Sequence, residues 1–174
     1  MSKAEYLINY LLSERDDLGR IEMPKTEQGK FKLYRSLVNI RPAVKADESF
    51  LQAEDEYLTA LTESKGITDI ADLSPAENSI YLWQGDITAL RCGAIVNAAN
   101  SGMTGCLELA VQNNIESIAF CCISTGVFGF PKDKAAEIAV RTVREFCKTH
   151  SIRVIFDVFG DDDRIIYKKA LGQA

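Results

Sequence analysis

The chain has 174 residues, 47% hydrophobic and 26% charged, with a formal net charge of −5. That is the composition of a globular chain long enough for one core and a modest appendage. Its mild acidity and lack of a basic run argue against binding nucleic acid through bulk electrostatics. No apolar stretch approaches the ~20 residues of a membrane span, and the N-terminus carries no signal-peptide pattern.

The first third reads as helical. Ser2-Lys3-Ala4-Glu5 has the spacing of a capping box, and Leu7, Tyr10 and Leu11 follow on one helical face. A second helix is expected over about 30–40, with Phe31, Tyr34, Leu37 and Val38 as its apolar stripe and Pro42 beyond its end. A third follows Asp47, with Leu51, Leu58 and Leu61 as its stripe, Glu54 to Glu56 on its solvated side and Gly66 as its exit. A turn-rich connector, "ITDIADLSPAENS", closes this helical extension at about residue 75.

From Ile80 the period changes. "SIYLWQ", "GAIVNAA", "SIAFCCIS" and "RVIFDVF" are short runs of β-branched and aromatic residues bounded by turn residues, and read as strands. "LELAVQNN", "PKDKAAEIAVRTVREFCKTH" and a segment from Asp161 to Gly172 read as helices. Strands alternating with helices predict an α/β domain with a mainly parallel sheet in three layers.

Three stretches carry chemistry. In "SIAFCCISTGVFGFP" a buried strand enters a loop with two hydroxyls and two glycines, and a helix follows at once. Such a loop aims main-chain N–H groups and a helix dipole at an anion, and Gly126 and Gly129 would let a phosphate approach. With no lysine or arginine in it, the loop suits holding a diphosphate better than transferring a phosphoryl group. The alternative is a plain glycine-rich turn. In "QGDITAL", Asp86 follows a strand end and can accept from an exocyclic amine such as adenine's, or cap a short helical turn. In "AIVNAANSG", Asn97 and Asn100 offer carboxamides to ribose hydroxyls, or form local Asx turns. His150, the only histidine, sits near a helix C-terminus, which leaves little room for a Ser-His-Asp or Cys-His mechanism. The five cysteines, Cys92, Cys106, Cys121, Cys122 and Cys147, read as reduced thiols of a cytoplasmic protein, with Cys121 and Cys122 packed in a strand.

"GDIT", "AIVNAAN" and "ISTGVFGFP", in this order, together resemble the macrodomain, the ADP-ribose-binding module. "NAANSGMTGC" and "AFCCISTGVFGFP" are most similar to the bacterial zinc-dependent macrodomains that hydrolyse protein ADP-ribose linkages. The resemblance implies that Asp86 binds the adenine amine and Ile87 lines the base. It places Asn100 on the distal ribose as the catalytic asparagine. It assigns Ser124, Thr125, Gly126, Val127, Phe128 and Gly129 to the diphosphate and proximal ribose, and Phe159 to packing on the adenine. It implies zinc as cofactor, and as partner an ADP-ribosylated protein, in that subfamily a lipoyl-carrier protein.

In that subfamily the Gly-Cys pair opens a metal loop, with His and Cys close behind. Here Gly105-Cys106 runs straight into "LELAVQNN", with neither. Cys106 supplies one thiolate, whereas a catalytic zinc takes three protein ligands. The domain over 76–174 is therefore expected to be a macrodomain lacking a segment that carries the metal loop and two edge strands. Its remaining strands should lie in the order of those near Ile80, Arg153, Ser117 and Ala94, with the last as a new edge able to self-associate. Hydrolysis of ADP-ribose from protein, a non-catalytic ADP-ribose module and an inactive remnant are the functions this pattern leaves open.

Overall fold

A computed structural model describes residues 1–96, 102–122 and 130–173. The chain forms two compact units, Met1–Lys65 and Gly66–Ala174.

The first unit holds three helices, α1 (Lys3–Ser13), α2 (Glu27–Asn39) and α3 (Glu48–Ser64). The capping box at its start is reciprocal. Glu5 N–H donates to Ser2 Oγ at 3.3 Å, and Ser2 N–H donates to Glu5 Oε2 at 2.9 Å. Ala4, Leu7, Ile8 and Leu11 of α1 are buried against Tyr34 and Leu37 of α2 and Phe50 and Tyr57 of α3. The stripe of α3 runs through Phe50 and Tyr57; of the leucines expected from the sequence, Leu61 packs against this core, whereas Leu51 and Leu58 are 46% and 39% exposed. Phe50 stacks beside Tyr10 at 4.5 Å, and Tyr57 meets Tyr34 edge-on at 5.7 Å. Rings bury more area than leucines one position away, so they set the rotation of the helix. The same rotation turns Glu54 inward, where it accepts from Tyr34 Oη at 2.5 Å. Val38, expected in the α2 stripe, is exposed, and the stem of Lys30 is buried in its unit instead. The Lys30 ammonium reaches Glu5 and Glu27 at 2.8 and 2.9 Å.

The second unit is built on a parallel sheet. Its strands are β1 (Thr68–Asp69), β2 (Ile80–Gln84), β3 (Leu90–Arg91), β4 (Ala94–Val96), β5 (Ser117–Phe120) and β6 (Arg153–Val158). Its helices are α4 (Met103–Gln112), α5 (Lys132–Cys147) and α6 (Asp161–Ala170). Four strands form one sheet in the order β2-β6-β5-β4, the contiguous order expected after loss of two edge strands. Every pairing in it is parallel.

Alternation along the strands divides the core. Ile118, Phe120, Val154, Phe156 and Val158 face α4, α5 and α6, meeting Leu107, Val140, Val143 and Tyr167. Ala119 and Ile155 face the other way, onto Ile70 and Leu90, with Tyr81, Trp83 and Ile87 alongside. That second cover comes from the connector read as turns. Thr68 and Asp69 pair with Leu90 and Arg91, a ladder too short to show a period. At the far end of the sheet β4 is an edge, with Ile95 53% exposed.

Candidate functional site

Because the four strands are parallel, all their C-terminal ends lie at one rim of the sheet, where ligands bind in open α/β folds. β2 delivers Gly85, Asp86 and Ile87 there, and β6 delivers Phe159. From the same rim β4 and β5 lead into 97–101 and 123–129. The expected site residues Asn100, Ser124, Thr125, Gly126, Val127, Phe128 and Gly129 therefore lie outside the described residues.

Asp86 caps the short 3₁₀ turn Ile87–Ala89. Its Oδ1 accepts from Thr88 N–H at 3.1 Å and from Thr88 Oγ1 at 2.6 Å. Capping and ligand binding are compatible, since a carboxylate accepts about four hydrogen bonds; Thr88 serves here to orient the group. Ile87 packs into the core on that side of the sheet. Gly85 N–H extends the ladder to Val158 O at 3.2 Å, tying the β2 turn to the end of β6. Gln84 Nε2 donates to Phe159 O at 3.4 Å and to Asp161 Oδ1 at 3.0 Å, a second tie between the same two ends. The Phe159 ring is 84% exposed, an aromatic surface held just past the end of β6.

Two features of the rim escaped the sequence reading. The first is Asp157, opposite Trp83 in the β2–β6 register and only 6% exposed, with an Oδ1 that has no hydrogen-bond partner among the described residues. Burial first, and then the negative charge of Asp86, push its pKa up to about 6, while the Gly85 amide pulls the other way. Its only signal in the sequence is a carboxylate interrupting the apolar run "VIFDVF". The second is the Trp83 indole lying over Gly85, a contact that no local pattern announces.

The thiols at the rim are not activated. Cys121 and Cys122 follow the end of β5 instead of lying within it, and burial raises both, Cys122 to about 12. A thiolate is the reactive form, so these are packing groups. Cys106, the expected zinc ligand, lies on α4 and packs half-buried against the helix-side core. Among the described residues no three histidine, cysteine, aspartate or glutamate side chains group as a metal site. The described residues do not fit a bound zinc. His150 stacks on Phe146 at 4.1 Å and 12°, away from the rim. Among the described residues, no helix is long and apolar enough to cross a membrane.

The C-terminal rim of a parallel sheet is where open α/β folds bind their ligands, and comparison with known proteins narrows the class. The Macro domain family model matches residues 96–139. The chain is 32% identical over 256 positions to a protein-ADP-ribose hydrolase of Staphylococcus aureus strain Mu50, covering 99% of this chain and 96% of that relative. It is 32% identical over 252 positions to a protein-ADP-ribose hydrolase of Treponema medium, covering 95% and 97%. Its fold is similar to the Trypanosoma brucei macrodomain solved in complex with ADP-ribose. That likeness has a TM-score of 0.57 at 23% identity, over 61% of this chain and 77% of that one. The chain belongs to the macrodomain family, close to these hydrolases. An alignment of 256 positions exceeds the 174 residues here, so part of the Staphylococcus aureus relative has no counterpart in this chain.

Proposed function

We propose that the protein binds ADP-ribose at the rim formed by the ends of β2, β4, β5 and β6, as a macrodomain of the protein-ADP-ribose hydrolase type. The observation that carries this is the side-by-side ending of β2 and β6, cross-tied through Gly85 and Gln84, which sets an oriented carboxylate beside an exposed ring. Asp86 accepts from the adenine amine, Ile87 lines the base and Phe159 packs on its face. A guanine would turn a carbonyl toward the same carboxylate and be rejected. Asn100 then holds the distal ribose, and Ser124 to Gly129 wrap the diphosphate with main-chain amides.

Removal of ADP-ribose from a modified protein is the reaction that the named relatives suggest. No step of it is assigned to zinc. Truncation of the macrodomain, supported by the alignment length, takes the metal loop with it and favours a module that holds ADP-ribose over an enzyme that cleaves it. The protein partner is then one carrying ADP-ribose, with a lipoyl-carrier protein the first to try. The β4 edge can pair with a second copy, and a cytoplasmic setting agrees with the reduced thiols.

Titration calorimetry with ADP-ribose, ADP and GDP-ribose tests the reading. Binding of ADP-ribose well above GDP-ribose is expected, and no heat with any of the three would overturn it. Turnover of an ADP-ribosylated protein that a chelator abolishes would establish the metal enzyme instead.

A further inference from the structure

The opposite edge of the sheet, along β2, carries an arrangement that the ADP-ribose seat does not use. Ser79 O accepts from Val154 N–H at 2.9 Å and Gly85 N–H donates to Val158 O at 3.2 Å, so the odd-numbered residues of this stretch turn their main-chain groups toward β6. In a parallel strand the next residues turn theirs the other way. Those of Ile80 are taken, its N–H donating to Glu77 O at 2.7 Å and its oxygen accepting from Ala76 N–H at 2.8 Å. Those of Leu82 and Gln84 have no main-chain partner among the described residues.

A cavity of about 470 Å³ opens beside these two residues. Trp83 and Pro75 line it, and Arg164 and Lys168 reach it from α6. The two cations are four apart, hence on one helical face. Among the described residues neither forms an ion pair. Glu77 holds Arg144 through contacts of 2.6 to 3.0 Å, and Asp161 accepts from Gln84. Unspent positive charge beside an open strand edge is notable on a chain of net charge −5.

We propose that this edge docks an extended acidic segment of a partner protein, added as a strand against Leu82 and Gln84, with its carboxylates on Arg164 and Lys168. Main-chain hydrogen bonds to the edge supply affinity, and the charges set specificity and register. An acid at alternate positions of the segment keeps its carboxylates on the α6 side. The inference does not depend on ADP-ribose binding, and either can fail alone.

The probe is a fluorescein-labelled hexapeptide alternating glutamate and valine, titrated into the full chain. Polarisation follows the peptide and the emission of Trp83, the only tryptophan, follows the cavity. Binding that weakens with added salt is expected, together with a change in Trp83 emission. The same peptide N-methylated at alternate residues should bind on the order of tenfold weaker, having lost two or so ladder hydrogen bonds. The double variant Arg164→Ala, Lys168→Ala should weaken the parent peptide by about tenfold or more. A lysine–valine peptide should not bind. Equal affinity for the methylated and parent peptides, or full displacement by millimolar inorganic phosphate, would reduce the site to one for free anions and overturn the proposal. Unchanged affinity in a double variant with a wild-type urea midpoint, or no binding of the parent peptide, would overturn it as well.

Discussion

The indole of Trp83 lies over Gly85 so closely that a Cβ there would meet three of its ring carbons. The glycine sits between the last residue of β2 and Asp86, so the ring can hold this position only because the turn into the site has no side chain. Gly85→Ala must push the ring off the sheet or tilt the turn. We expect a shift in Trp83 emission and weaker ADP-ribose binding, by about 1–2 kcal/mol from lost packing and a displaced carboxylate. Emission and affinity identical to wild type would mean that the ring moves without consequence.

On the proposed reading Asp86 serves two purposes, as cap and as ligand carboxylate, and two substitutions separate them. Asp86→Ala removes both the cap and the ligand carboxylate. It should cost about 1 kcal/mol of stability and weaken ADP-ribose binding by about 1.5–3 kcal/mol. Thr88→Val removes only the orienting hydroxyl, which donates at 2.6 Å, and should weaken binding by a smaller amount, about 0.5–1.5 kcal/mol. Calorimetry beside urea unfolding reads both effects. Full affinity in Asp86→Ala would refute the adenine assignment.

Phe159 is exposed enough that its loss should leave the fold intact. Phe159→Ala should shift the unfolding midpoint little while lowering ADP-ribose affinity by about 1–3 kcal/mol, the range for a base stacked on an aromatic ring. Phe159→Tyr, which keeps the ring face, should restore most of it. An alanine variant that binds as well as wild type would place the base elsewhere.

Asp157 gives the protein a pH-dependent cost. Its carboxyl is protonated in both folded and unfolded chains below its ordinary pKa of 3.8, so it costs nothing there. Between that value and its folded value of about 6 the unfolded chain has released the proton while the folded chain retains it. Stability is therefore lost as pH rises through this window, and the loss is constant above it. The full cost is on the order of 1–3 kcal/mol. Asp157→Asn removes the titration. The stability of the variant minus that of wild type should rise from pH 4 to pH 6 and stay level to pH 8. A flat difference across this range in urea midpoints would show that Asp157 is ionised in the folded protein at its ordinary pKa.

Metal removal gives a further check. With one half-buried thiol at position 106 and no grouped ligands among the described residues, dialysis against a chelator should change neither the unfolding midpoint nor ADP-ribose affinity. A bound metal would stabilise the folded state by several kcal/mol at saturation, so a fall in the midpoint on dialysis would reveal a zinc site completed by residues outside those described.

Much of the fold was legible in the chain itself. The capping box at Ser2 and Glu5, the shift from helical to strand period near Ile80, and the apolar face of α5 are local signals, read from residues a few positions apart. The strand order β2-β6-β5-β4 is the one that the macrodomain resemblance implied. What local pattern could not reach was any choice between neighbouring rows of similar hydrophobicity. Whether Leu51 or Phe50 faced inward was decided by Tyr10, and Glu54 turned inward because Tyr34 was there to donate to it. The ladder between Thr68–Asp69 and Leu90–Arg91 and, among the described residues, the unpaired oxygen of Asp157 and the open edge at Leu82 and Gln84 belong to pairings between distant segments. A sequence specifies periodicity, caps and turn chemistry by itself; burial, the pKa of an interior carboxylate and the vacancy of a strand edge exist only once segments far apart in the chain remove water from one another.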